Sequence, residues 1–284
     1  QGSFLVYNQQ GAENLGFILS IDQDANIIDG FPKRISDYDS NQFVDDAIKT
    51  DQGIFIVWKD SRSEAGTDIY GQFFDYSGNK LSENDIVIAA YPNDQSNAII
   101  TLGNDNSALI CWEDYSNGID YDLYCNTIDL NTLEVNLSED GAPLYAIGTG
   151  QGDQNNAFAY TALNGNFMLV WEDSRNNDEE NLQIHTDIYY QEISDGNLVY
   201  GEIGIPVCES YHIQTEPKIS LYSSTLDQES YLIYWSDLRS TGKDLLYNIY
   251  GQSISHDSSL DNQVNLVNEF QINDIYPNPF NPNL

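Results

Sequence analysis

The sequence predicts an all-β protein: a five-bladed β-propeller of four-stranded blades over residues 1–270, followed by an extended Pro-rich tail at 271–284. Three observations carry that expectation. A tryptophan-centred segment recurs along the chain, each copy holds several short strand-like runs separated by turn residues, and the tryptophan run is apolar at consecutive positions. Consecutive apolar positions mean burial on both faces, which a small sheet acquires when neighbouring sheets cover it from both sides. Repeats of about 40 to 50 residues that each supply four strands mark propeller blades. A pair of β-sandwiches or a linear solenoid is the competing architecture, and neither calls for a tryptophan in every central strand.

The segment WKDSRSEAGTDIYGQ starts at Trp58 and returns as CWEDYSNGIDYDLYCN around Trp112, as WEDSRNNDEENLQIHTDIYYQ from Trp171, and as WSDLRSTGKDLLYNIYGQ from Trp235. The spacings of 54, 59 and 64 drift because the loops differ: Trp58 to Asp68 and Trp112 to Asp122 are 10 residues, Trp171 to Asp187 is 16, and Trp235 to Asn248 is 13. A fainter copy, FLVYNQQ, opens the chain with Tyr7 in the tryptophan position and makes five units. In the second unit AIKTDQ reads as a weak strand and GIFIVWKD as a strong one. DIYGQFFD follows across a turn, and DIVIAAY comes after the Ser-Gly-Asn turn at 77 to 79.

Tyr7 leaves no room for a strand before it, so the first unit is one strand short. Continuing the repeat puts the last outer strand near Val264 to Phe270 and the missing strand around Pro277 to Asn281, where prolines oppose a regular ladder. Residues 271–276 folding back, an open ring, and a tail donated by a neighbouring molecule are the alternatives. Repeated head to tail, the last of these builds a filament.

The polar residues of the repeat read as blade staples: Trp58, Asp60, Arg62 and Asp68; Trp112, Asp114 and Asp122; Trp171, Asp173, Arg175 and Asp187; Trp235, Asp237 and Arg239. Three of the four arginines occupy one motif position, and the second full copy has Ser116 there. A guanidinium links carboxylates in fixed geometry, and Asp68, Asp122 and Asp187 stand as partners or turn caps across the hairpin. A catalytic group is needed once, whereas a staple is needed in every blade. The same logic assigns Tyr70, Tyr124, Tyr189 and Tyr250 to packing.

With 45 acidic against 10 basic residues the formal net charge is −35. Such a chain repels nucleic-acid phosphates and anionic lipid surfaces, so neither nucleic acid nor membrane insertion is expected. It suits a salty exterior in which calcium is available, and calcium is the one cation the composition leaves open. No apolar run reaches the roughly 18 residues of a membrane span. Cys111 and Cys125 fall on adjacent strands of one hairpin, where either a single bridge or two buried thiols fits; Cys208 makes an odd third. The opening QGSFLVYNQQ has no basic region or signal-type apolar run, so an exported protein would already have shed its signal.

Other motifs are weaker. DQDANIIDG at 22 to 30 starts like a calcium loop, but Ile27 replaces the glycine and Lys33 stands where the bidentate acid belongs; in repeat register it matches the hairpin turn DYSGNKLS. GTGQGD at 148 to 153 precedes no helical pattern. His185, His212 and His256 have no zinc spacing, and no nucleophile elbow is present, so no cofactor or metal site is expected. The 45 acids leave a glycosidase carboxylate pair open and single out none.

The run Tyr276, Pro277, Asn278, Pro279, Phe280, Asn281, Pro282 closely resembles the opening of the C-terminal sorting domain carried by cargo of the type IX secretion system. The match spans only about a dozen residues; the rest of such a domain, a small sandwich of roughly 70 to 80 residues, is absent. The resemblance implies export by that machinery, then release or surface attachment. The Trp-x-Asp-x-Arg and Asp-Ile-Tyr-x-Gln repeats resemble those of secreted bacterial propeller proteins, a family without a single established activity. Arabinanase-like glycosidases share a five-bladed architecture, but fold does not carry function, and their three carboxylates are not placed here.

The expected function is a non-enzymatic extracellular propeller, a binding or structural module at the cell surface. Its contact loops would be the inserted ones, with Asn176, Asn177, Asp178, Glu179 and Glu180 in one and Lys243 and Asp244 in the other. Surface polysaccharide, a further copy of the chain and the secretion machinery are the partners this reading names. A filament joined by donated strands and a polysaccharide-active glycosidase are its alternatives.

Overall fold

The computed structural model describes residues 3–63, 65–177, 185–210, 212–224, 228–238, 248–257 and 264–272. Every regular element among them is a β-strand, and every strand pairing is antiparallel. The chain forms two compact units, Gln1–Thr149 and Gly150–Leu284.

The first unit holds three sheets. Sheet 1 has strands β1 (Ser3–Gln10), β2 (Asn14–Ile21) and β3 (Lys33–Arg34), in that order, so β1 ends the sheet. Sheet 2 runs β4 (Gln42–Lys49), β5 (Gly53–Asp60), β6 (Asp68–Asp75) and β7 (Ile86–Ala89). Sheet 3 repeats that order with β8 (Gln95–Leu102), β9 (Ser107–Asp114) and β10 (Asp122–Asp129). Its fourth strand is split into β11 (Val135–Asn136) and β12 (Tyr145–Ile147), both paired with β10.

The second unit holds two sheets. In sheet 4, β13 (Gln154–Thr161), β14 (Phe167–Asp173) and β15 (Asp187–Ser194) are followed by β16 (Asn197–Leu198) and β17 (Ile205–Cys208), which share the last edge. Sheet 5 consists of β18 (Gln214–Ser224), β19 (Gln228–Asp237), β20 (Asn248–Asp257) and β21 (Val264–Ile272).

The tryptophan strands are buried on both faces because alternate side chains serve different sheets. Trp58, Ile56 and Ile54 of β5 pack with Ile18 of sheet 1, whereas Phe55 and Val57 of the same strand pack with Ile110 and Trp112 of sheet 3. In the second unit Trp235, Ile233 and Tyr231 join Met168, Val170 and Tyr190. All four tryptophans are at most 1% exposed. At about 3 to 5 kcal/mol for truncating such a side chain, they anchor the stacking of sheets inside each unit.

One turn shifts a predicted strand. The expected run AIKTDQ starts too late: β4 begins at Gln42 and ends at Lys49, because Thr50 Oγ1 accepts the N–H groups of Gln52 and Gly53, both at 3.1 Å, and turns the chain. The outer strands are pinned by a further repeat position. Gln72 donates to the carbonyls of Ser82 and Asn84, Asn126 to that of Ile88, and Gln191 to that of Gly201. At the preceding position β6 has Gly71, where a Cβ would come within 2.7 Å of Phe55 Cζ. β10 has Cys125 there, which stands opposite Cys111 of β9 and is disulfide-bonded to it. Cys208 is a buried thiol on β17.

Candidate functional site

The repeated polar residues gather at the hairpin end that follows each tryptophan. In every tryptophan sheet the indole Nε1–H donates to the carboxylate two residues on: Trp58 to Asp60 at 3.0 Å, Trp112 to Asp114 at 2.9 Å, Trp171 to Asp173 at 2.9 Å, and Trp235 to Asp237 at 3.0 Å. The other oxygen of Asp60, Asp114 and Asp173 accepts the N–H of Arg62, Ser116 and Arg175, respectively. Each of these carboxylates therefore serves as a turn cap and an indole acceptor at once.

The arginines meet the preceding acid, not the one across the hairpin. Arg62 reaches Asp60 at 2.5 Å and Asp85 at 2.9 Å, with its guanidinium 4.0 Å from the ring centre of Tyr38 and 3.8 Å from that of Tyr70. Arg175 pairs with Asp173 and lies 4.2 Å from the ring centre of Tyr189. Asp68, Asp122 and Asp187 stand directly opposite Asp60, Asp114 and Asp173 in the strand register. Asn117 donates to Asp122 and Asn176 to Asp187. Burial followed by the Asp60 charge holds the Asp68 carboxyl above its ordinary range, although Tyr70 hydrogen-bonds to it. Burial would raise Asp60 too, but bonds from Arg62, Ser40 and Trp58 outweigh it and bring the group below its ordinary value.

These are repeated arrangements. The repeat breaks on the edge strands. β4, β8, β13 and β18 all open with a fully buried glutamine, Gln42, Gln95, Gln154 and Gln214, whose amide donates to a carbonyl of the incoming loop. Each strand then bulges. In three of them a left-handed residue marks the bulge: Asn97 (φ 52°), Asn156 (φ 49°) and Glu216 (φ 55°). All three side chains are exposed. The residue after the tryptophan or its tyrosine stand-in reaches the next edge strand. Asn8 accepts the N–H of Val44 at 3.0 Å, and Glu172 accepts that of Glu216 at 2.8 Å together with the Thr215 hydroxyl at 2.5 Å.

Sheet 2 has Lys59 at that position, and an ammonium accepts nothing. Two carboxylates of β4 take over the role: Asp45 Oδ2 accepts the N–H of Ala98 at 3.2 Å, and Asp46 Oδ2 accepts that of Ile100 at 3.1 Å. Asp45 stands where the other edge strands have Ala98, Ala157 and Pro217. Burial lifts its carboxyl to about 6; the Ala98 N–H and Lys59 oppose the rise, while Glu113 and Asp46 add to it. Glu113 is itself fixed by Asn97 Nδ2 at 2.6 Å. Phe43, across from Lys59 in the register, is 39% exposed beside this group. The arrangement holds a half-buried acid whose proton leaves in the mildly acidic range, which is what a general acid requires.

In the sequence Asp45 and Asp46 are two acids among 45, and what marks them is their departure from the register set by Gln42, Gln95, Gln154 and Gln214. Of the expected contact residues, Asn176 bonds Asp187, and Asn177 accepts the His185 N–H at 2.5 Å. Asp178, Glu179, Glu180, Lys243, Asp244 and Arg239 lie outside the described residues, as does the tail from Tyr276 to Pro282. The DQDANIIDG segment is a hairpin turn. Asp22 Oδ1 accepts the N–H groups of Asp24 and Asn26 at 2.9 and 2.8 Å, and Asp75 does the same for Ser77 and Asn79.

No protein-family model matches the chain, and no curated protein matches it in sequence. Among solved structures it is similar to an ulvan lyase described as a new family of polysaccharide lyase, with a TM-score of 0.53 and 9% identity over 94% of this chain and 67% of that one. An endo-arabinase from Bacteroides thetaiotaomicron gives 0.45 and 12% over 87% of each chain. A thermostable family-43 glycoside hydrolase gives 0.45 and 10% over 92% and 91%. The expectation of a non-enzymatic module is corrected to this extent: the fold is one that a polysaccharide lyase carries.

Proposed function

We propose that the chain is a carbohydrate-active enzyme that hydrolyses a polysaccharide, with Asp45 as its proton donor. In this reading the five sheets are the blades of one propeller, and the acid sits on an edge strand at a bulge. The observation that carries it is the position of Asp45: half-buried, unique in the repeat, and kept protonated to about pH 6 by burial and by the neighbouring charges of Glu113 and Asp46. The shared fold with an ulvan lyase supports a carbohydrate-active enzyme, and the hydrolytic step rests on Asp45.

In the reaction Asp45 gives its proton to the glycosidic oxygen as the C–O bond breaks. Water supplies a hydroxyl to the anomeric carbon and returns its remaining proton to the carboxylates of the site. The Ala98 N–H positions the Asp45 carboxyl, and Glu113, held by Asn97, biases its charge state. The resemblance of Tyr276 to Pro282 to the opening of a type IX sorting domain supports export of the enzyme to where polysaccharide is met outside the cell. The test is release of new reducing ends from a panel of polysaccharides by the purified chain. Cleavage that Asp45→Asn abolishes supports the reading, and absence of cleavage across the panel overturns it.

A further inference from the structure

We infer that the substrate is a neutral glycan, not a uronate or sulfated one; this rests on the reading of Asp45 as the acid and names what that acid acts on. An enzyme for an anionic polysaccharide must meet each sugar carboxylate or sulfate with a cation. Elimination at a uronate further requires that carboxylate to be neutralised before the adjacent C–H gives up its proton.

The molecule has few cations: among the described ones Lys33, Lys49 and Lys218 lie over the rings of Phe31, Tyr76 and Phe158, and four more are paired with acids. Arg62 and Arg175 are held by Asp60 and Asp173, Arg34 by Asp39, and Lys80 by Asp37. Around Asp45 the balance is negative among the described residues: Lys59 opposes the raised carboxyl, against Glu113 and Asp46. Lys59 already sits 5.6 Å from the ring centre of Phe43. A polyanion approaching this strand would add like charge to a partly desolvated acidic group, in the field of a chain with net charge −35.

A neutral sugar meets no such penalty. The exposed ring of Phe43, two residues from Asp45 on β4, offers an apolar surface for the C–H face of a sugar, and Asn97 and Asp46 lie within the same group of side chains. The step is the hydrolysis already written: one C–O bond breaks, one water is consumed, and no oxidant or reductant enters. The product carries a saturated new chain end.

The experiment is affinity electrophoresis of the full chain through gels containing arabinan, xylan or polygalacturonate, at low and high salt, with the chain ends of any products analysed. The expected result is retardation by arabinan or xylan that salt leaves unchanged, saturated product ends, and free migration through polygalacturonate. Salt-sensitive retardation by polygalacturonate, or unsaturated ends, overturns the neutral-substrate inference and leaves a carbohydrate-active enzyme standing. Free migration in all three gels with no cleavage overturns both.

Discussion

Arg175 grips Asp173 with two prongs, Nε to Oδ1 at 2.7 Å and Nη2 to Oδ2 at 2.5 Å, while the same carboxylate accepts the indole N–H of Trp171. Asp173 is fully buried. Removing its cation strands a buried charge, so Arg175→Ala is expected to cost about 3 kcal/mol or more. Arg175→Lys, which keeps charge but loses the fork, should fall between the two. Urea unfolding reads the difference, and glycan cleavage below the melting range should be unaffected by either change. An unaltered midpoint for Arg175→Ala would remove the staple from the account.

Asp68→Asn should stabilise. Asp60 and Asp68 face each other across β5 and β6, a like-charge pair of the kind that costs up to about 1 kcal/mol. Sheet 5 already has Asn248 in this place, opposite Asp237. Because the Asp68 carboxyl is raised above its ordinary range, the gain should be largest at neutral pH and vanish in acid, where the wild-type group is protonated as well. A loss of stability at neutral pH would show that the Tyr70 hydrogen bond outweighs the repulsion.

Replacing both Cys111 and Cys125 with alanine opens a loop of 14 residues and should cost about 3 kcal/mol in the chain-entropy account. Thermal unfolding with and without reductant checks it: the wild type should shift and the double variant should not.

The repeat made much of this fold legible. The Trp-x-Asp run gave the central strands because double-sided burial leaves an apolar signature, and the hairpin joining Cys111 to Cys125 followed from turn spacing. The edge strands were harder. β4 contains Asp45, Asp46 and Lys49, so propensity placed it at AIKTDQ, whereas its start is fixed by the buried amide of Gln42. The split outer strands of sheets 3 and 4 depend on loops held by side chains, Asn126 accepting the Leu144 N–H at 2.8 Å and Gln191 donating to the Gly201 carbonyl, a tertiary effect. The acid was invisible for the same reason: Asp45 and its neighbour Asp46 differ from other aspartates through burial against the N–H edge of β8, which no local sequence pattern shows. The non-enzymatic reading failed because repetition explains scaffold residues and says nothing of the positions where repetition is broken.

Stability should fall as pH rises through the Asp45 titration. The carboxyl moves from an ordinary 3.8 to about 6 on folding. Between those values the folded state keeps a proton that the unfolded chain has lost, so the native state is favoured at the acidic end and loses that advantage by about pH 6. Asp45→Asn should flatten this part of the stability profile measured by urea titration, since the amide does not ionise. A variant profile that still matches the wild type across the window would place the titration elsewhere.

The most direct measurement is the pH profile of reducing-end release from a neutral glycan by the wild type and by Asp45→Asn. The account predicts wild-type activity that declines as pH rises through about 6, where Asp45 loses its proton. It predicts a folded, disulfide-bonded variant slower by roughly a hundredfold or more at every pH. A variant that cleaves at the wild-type rate with the same profile would contradict it.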